Sequence, residues 1–483
     1  MSHATEAEPT DFHSSYIPWR DFLVRQNLIP LAIVSLAVWL HAGDSLVVAT
    51  MMPSMVDDIG GEAVVGWSVS LYQLSSIVAG AASALLSLRY GLRNAMALAA
   101  MVFAIGCLIS AVGLTMPMVL AGRLVQGFGG GGLVAMGFVG VSLMFEPRYR
   151  ARAIAVISTL WGIAAFLGPI IGSVFVAYAN WRWGFVFFAF KAVLLCLWLI
   201  SQTDSSTAKI EAEQAPFPWR RLGLLAIAIL LVSFAGVEVT LGRSFLLVMA
   251  GGLAIVWFLK VDASAQSNRL LPMRALDLRK PHGAGLVMSF CMSFSTVGLA
   301  AFGPLLLTAI HGADPIVIGY VVAAAAIGWS VAAVLTSGIA EVHQGKMILF
   351  GMSLVGGAVL GLAYAVPFGE LWLVSLLSFA EGAGFGMCWH FILARLTAKA
   401  PADEIHRISA AIPTIQRLGY ALGAAYLGIV ANASGILELD QLDQAQRAGF
   451  WIFASCIPTI GLGLVAAILF AREPEDENKG YRA

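Results

Sequence analysis

The stretch from residue 117 to 145, PMVLAGRLVQGFGGGGLVAMGFVGVSLMF, leaves this chain few folds to choose from. It is almost wholly apolar, and at about 1.5 Å per helical residue it outruns the roughly 30 Å of oil in a bilayer. It is predicted to span a membrane. Inside it stand Arg123, Gln126 and a glycine-rich run from Gly127 to Gly132. A guanidinium near the bilayer centre costs at least about 2.5 kcal/mol even on the lenient insertion scale, so Arg123 must face a protein partner or a wet cavity. The glycines let a second helix come close. Such a span belongs to a membrane machine with a polar interior.

Composition agrees. Hydrophobic residues make up 59% of the chain and charged residues 12%, where soluble domains carry about 25% charge. The 28 basic and 28 acidic residues cancel, so no overall field points to nucleic acid or to an acidic partner. Cys107, Cys196, Cys291, Cys388 and Cys456 are far apart, each in an apolar segment, without the paired spacing of a metal or redox site. They read as small buried hydrophobes, and no metal or cofactor is expected. There is no Gly-x-x-x-x-Gly-Lys phosphate loop, so ATP is not the fuel. Residues 1–27 lack the apolar core and cleavage site of a secretory signal and read as a cytoplasmic tail.

Fourteen apolar runs are long enough to span: 28–53, 64–88, 93–113, 117–144, 152–179, 184–202, 221–240, 244–261, 283–310, 316–340, 346–366, 371–396, 408–432 and 449–471. An even number puts both ends of the chain on one side. With those ends in the cytoplasm, nearly all of the Lys and Arg fall in inner segments, as the positive-inside rule requires. The exceptions are Arg182, Arg243 and Arg447 outside, and Arg123, Lys191 and Arg417 within spans. A bacterial inner membrane is the expected location.

A shift of about 255 residues brings Gln126-Gly127-Phe128-Gly129 onto Glu381-Gly382-Ala383-Gly384, Pro147 onto Pro401, Arg152 onto Arg407 and Gly168 onto Gly423, the mark of an internal repeat. The expected organisation is a cytoplasmic tail (1–27), a six-helix bundle (28–202), a polar, Pro-bearing joint (203–220), two inserted helices (221–261), a connection (262–282), a second six-helix bundle (283–471) and a tail (472–483). The fold class is all-α integral membrane protein.

Several motifs now line up. Asp44-Ser45 is followed by Ala49 and Pro53 in the first span, and Arg123-Leu-Val-Gln126-Gly127 lies in the fourth. Gly162 through Gly168-Pro169-Ile-Ile-Gly172 lies in the fifth with Trp181-Arg182-Trp183 after it, and Gln416-Arg417-Leu418-Gly419 lies in the thirteenth. In this order, over nearly the whole chain, they resemble the fourteen-helix drug:proton antiporters of the major facilitator superfamily. The resemblance implies the major facilitator fold, proton-coupled antiport, and a conformational role for the loop carrying Arg89, Gly91 and Arg93. The chain departs from that pattern at Leu88, where the family usually has Asp, at Ser173, and at Phe188 and Phe190.

Asp44 and Arg123 lie at matching depths. Burial favours a neutral acid and a nearby guanidinium favours the carboxylate, so Asp44 suits a proton carrier, or else a fixed pair that braces two helices. Glu381, in the position Gln126 holds in the first half, carries a proton, attracts a cationic substrate, pairs with a base, or stays protonated against a carbonyl. His41 is one turn before Asp44; with Gln126, Trp161 and Trp389 it is a candidate for the substrate cavity. Trp39, Trp67, Tyr72 and Phe166 are further aromatic candidates. Gly162, Gly168, Pro169 and Gly172 offer a small-residue face on which helices can rock or simply pack tightly. Arg417 is expected at the cytoplasmic gate, while Lys191 and Glu238 are expected to snorkel toward helix ends.

These features predict a secondary transporter, a monomer, exporting lipophilic or amphipathic small molecules in exchange for protons. Movement of one specific metabolite or siderophore-like compound, in either direction, is the alternative. No His-x-x-Glu-His or paired-acid cluster supports a membrane enzyme, and no large soluble domain supports a receptor.

Overall fold

The computed structural model describes residues 19–471, apart from 203–216, 266–268, 273, 337, 338, 340, 399–404 and 440. Residues 1–18 of the first tail, all of the second, most of the joint, and the side chains of Leu88, Arg152 and Arg407 lie outside the described residues.

The described residues form helices with short turns between them. After a four-residue helix (Trp19–Phe22) come α1 (Arg25–Ile59), α2 (Val65–Tyr90), α3 (Leu92–Ala111), α4 (Met116–Met144), α5 (Pro147–Tyr178) and α6 (Trp181–Ser201). Then follow α7 (Trp219–Ala235), α8 (Leu241–Ala263), α9 (Pro281–His311), α10 (Pro315–Thr336), α11 (Glu341–Phe368), α12 (Leu371–Ala398), α13 (Ile405–Ser434), α14 (Leu442–Ala454) and α15 (Ile457–Ala471). The last two make one rod, interrupted at Ser455 and Cys456. Among the described residues, twelve helical stretches are long and apolar enough to cross a membrane. The expected spans at α7 and α13 are not among them. α7 has 17 residues, and α13 carries Arg407, Gln416, Arg417 and Asn432. A helix enclosed by others can hold polar groups that a lipid-facing one cannot.

The two halves repeat one packing scheme. In the first, α4 packs on α2 and α3, α1 on α5, and α3 on α6; in the second, α12 packs on α10 and α11, α9 on α13, and α11 on the final rod. The halves meet where α5 lies against α10 and α2 against α13. Glycine sets the approach of α4 to α2. A Cβ on Gly127 would sit 1.9 Å from Ser75 Oγ, and one on Gly131 would sit 2.4 Å from Ser76 Cα. The turn from α2 to α3 depends on Gly91 for another reason, its φ of 80°, which side-chain-bearing residues rarely adopt.

Many buried hydroxyls are satisfied by carbonyls of the preceding turn, though Ser233, Ser295 and Ser378 have no partner among the described residues. Ser83 donates to Ala79 O at 2.6 Å and Ser289 to Gly285 O at 2.8 Å, so these polar residues need no water in the interior.

The inserted pair packs through α7 against α2 and α13, while α8 lies on α7 and leaves Phe245, Leu246, Leu253 and Trp257 exposed for lipid. A buried ion pair ties the two together where the chain enters and leaves the pair: Arg221 Nη1 donates to Asp262 Oδ1 at 2.9 Å. Asp262 also accepts the backbone N–H groups of Leu270 and Leu271, each at 2.9 Å. With all three bonds the buried carboxylate is well satisfied.

Candidate transport site

Positions along α1 and α4 bring Asp44 and Arg123 to one level, and packing turns them toward each other. Arg123 Nη1 donates to Asp44 Oδ2 at 2.5 Å, with both side chains nearly inaccessible. The same nitrogen lies 3.1 Å from Gln126 Oε1, one turn along α4. Gln126 Nε2 in turn reaches Asp44 Oδ1 at 3.4 Å and Cys107 Sγ at 2.9 Å. The guanidinium lies over the Tyr72 ring, 4.2 Å from its centroid, and that ring's face further stabilises the desolvated cation. Arg123 Nε has no hydrogen-bond partner among the described residues. Tyr72 OH is 2.8 Å from His41 Nδ1, and the two rings stack. One acid, one base and four further polar groups from α1 to α4 thus form a continuous polar network nearly enclosed by protein.

A cavity of about 250 Å³ opens between the halves. Tyr72, Gln73 and Arg123 line it from the first half; Trp329, Glu381, Phe385 and Tyr420 line it from the second. Glu381 is buried, and its Oε2 has no hydrogen-bond partner among the described residues. Trp329 and Phe385 stack at 4.8 Å beside it, and Tyr420 lies parallel to Phe385 at 6.4 Å. The remaining wall is mostly Ala and Val.

Other expected site residues fall elsewhere. His41, Gln126, Trp161 and Trp389 are not among the residues lining this cavity. Gln126 stands behind the ion pair, His41 behind Tyr72 and Trp389 near Trp329 and Phe385, while Trp161 is exposed and edge-on to His41 at 5.8 Å. Trp67 binds the inserted pair instead. Arg89 sits over its neighbour Tyr90 on the surface, and Arg93 lies a turn away at the start of α3. α5 packs by its small residues against both halves, Gly168 and Gly172 meeting Leu46 and Thr50 of α1, and Gly162 and Pro169 meeting Ser330 and Gly319 of α10. Arg417 crosses the seam, donating to Ser76 O at 3.0 Å. Lys191 does not snorkel. It sits midway along α6, its amine 4.6 to 5.2 Å from the ring centroids of Trp39, Phe187 and Phe188, where π faces take the place of water.

Three hydrogen bonds that join the halves lie between mid-depth and the face bearing the α1–α2 turn: Arg417 to Ser76, Ser70 Oγ to Ala421 O at 3.0 Å, and Asn432 Nδ2 to Ala63 O at 2.8 Å.

The model for "Major Facilitator Superfamily" matches residues 34–424 and 285–482. The chain belongs to that superfamily. It is similar to a "probable multidrug-efflux transporter" of Mycobacterium tuberculosis, 27% identical over 433 residues, which are 86% of this chain and 90% of that one. It is also similar to an efflux pump of Dothistroma septosporum, 25% identical over 408 residues, which are 82% of this chain and 70% of that one. Among solved structures it resembles the Escherichia coli xylose transporter in an inward-open conformation, with TM-score 0.61, 16% identity, and 94% and 97% of the two chains covered. A D-xylose-proton symporter aligns with TM-score 0.59, 16% identity, and 92% and 97% covered. This major facilitator protein is a multi-pass membrane transporter and not an enzyme, and its substrates are small molecules.

Proposed function

We propose that the transporter is a proton-coupled antiporter, a monomer with fourteen spans in the bacterial inner membrane and both termini in the cytoplasm, that exports lipophilic or amphipathic compounds by alternating access. The observation that carries this reading is the nearly enclosed network of Asp44, Arg123 and Gln126, whose guanidinium borders a largely apolar cavity shared by both halves. The efflux pumps to which the chain is similar support the direction. A proton on Asp44 cancels its charge and weakens its hold on Arg123; leaving restores both. Arg123 is thereby free to answer either the acid or a bound compound, and that alternative couples the two fluxes. Glu381 is the second candidate for carrying protons, while Gly162, Gly168, Pro169 and Gly172 give α5 a surface on which the halves rock. Arg417 and the Arg89–Gly91–Arg93 turn act in closing the gates. The test is collapse of a pH gradient in inverted vesicles on adding substrate. Wild type should collapse it, and Asp44→Asn should not; full proton-coupled transport by Asp44→Asn sinks the carrier role.

A second reading concerns charge. The unpartnered oxygen of Glu381 beside the Trp329–Phe385 stack favours flat organic cations. Glu381→Gln should then abolish transport of ethidium, a planar cation, and spare a neutral dye. Loss of both assigns Glu381 to proton handling.

A further inference from the structure

The inserted helices touch both halves at one level, at the end of the seam. From the first half, Trp67 of α2 donates its indole N–H to Ser233 O of α7 at 3.2 Å, and its ring meets Phe234 edge to face at 4.7 Å. On the second half, Gly236, just past the end of α7, rests directly on α13: a Cβ there would lie 3.1 Å from Ile429 N and 3.3 Å from Gly428 C. Asn432 of α13 spends one amide nitrogen on two carbonyls, Gly236 O at 2.5 Å and Ala63 O of the first half at 2.8 Å. The turn that presents Gly236 is itself braced. Ser244 Oγ donates to Ala235 O at 2.8 Å, and Arg243 donates to Glu238 O at 2.9 Å and Phe234 O at 3.4 Å. A linker that merely carried the chain from one half to the other would need none of this.

We infer that the α7–α8 pair is a clasp on the gate at this face: it rides with the second half on α13 and holds the first half through Trp67. The close backbone seat of Gly236 and the bond from Asn432 decide which side the pair stays with, because the α2 contact rests on one indole. Opening this face separates α2 from α13, so it must break the Trp67 bond together with Asn432 to Ala63 and Ser70 to Ala421. The pair thereby sets how often the carrier opens here. The inference concerns the gate and is independent of substrate and of the coupling ion.

The experiment uses the full chain in lipid nanodiscs, with spin labels at Glu62→Cys on the first half and Leu437→Cys on the second; the five native cysteines are buried. Trp67→Phe keeps a six-membered aromatic ring against Phe234 but removes the N–H together with the indole's five-membered ring, and it should raise the ratio of open to closed distances at least roughly fivefold, the worth of one net hydrogen bond. Ratios equal to wild type would overturn the inference. A second measurement stands apart from that variant. Trp67→Cys with Phe234→Cys, bridged by a short thiol cross-linker in vesicles, should stop transport until a cleavable bridge is cut. Undiminished transport by fully bridged protein would also overturn it.

Discussion

Arg123 is held by three groups at once, and the Asp44 bond among them is buried on every side. Removing one member of such a pair strands the other in apolar surroundings, which costs about 3–5 kcal/mol when the remaining charge persists. Arg123→Met should therefore lower the thermal unfolding temperature of the detergent-solubilised protein markedly. Asp44→Asn with Arg123→Met should lower it much less than the two single changes added together. Additivity of the two would show that the bond contributes nothing of its own. Lys191 should behave in the opposite way. Its amine has rings around it, so Lys191→Met, similar in length and uncharged, should leave stability within about 1 kcal/mol or raise it. The ion pair could be read from the sequence because a charge in oil must find a partner, and depth along a helix follows from counting residues. The azimuth of a side chain does not follow. That is why His41 and Trp389 stand behind the cavity wall while Trp329 and Tyr420, unmarked in the sequence, form it. Phe385 was within reach, being four residues after Glu381 and so on the same helical face.

At the scale of elements, apolar run length located the helices, but it did not separate those that face lipid from those enclosed by other helices. α13 shows the difference. Its polar residues keep it out of the set that qualifies on apolarity alone, yet it lies against α2, α7 and α9 in the interior. The glycine run of α4 was legible as an approach surface, though its partner helix was not. The contrast with α8 is testable. Gly131→Leu must displace the Ser76 backbone and should cost at least about 1–3 kcal/mol or prevent folding. Gly252→Ala, on an open face of α8 with nothing within 4 Å of the added carbon, should stabilise by up to about 1 kcal/mol. Size-exclusion profiles and thermal melts of the two variants side by side decide the matter.

For the whole molecule, three seam bonds gather on one side of mid-depth, so the cavity should be reached from the side of the chain ends. Ala326→Cys, on the cavity wall, should react with an impermeant thiol reagent faster in inverted vesicles than in whole cells; the reverse order would reverse the assigned direction of closure. At about 250 Å³ the cavity is a little smaller than the roughly 300–1,000 Å³ of small-molecule pockets, so a drug-sized compound should widen it on binding. The repeat foretold two matching bundles, because an internal offset survives in glycines and charges. It did not foretell where the inserted pair would settle, since nothing in the repeat corresponds to it.

Asp262 and Arg221 fasten the inserted helices to each other and to the residues leading into α9. The polypeptide is thus braced where the inserted pair leads toward α9. Encoded as two genes broken within positions 203–216, it should assemble from fragments into an active carrier, whereas a break between α8 and α9 would sever a folded unit and yield fragments that fail to recombine.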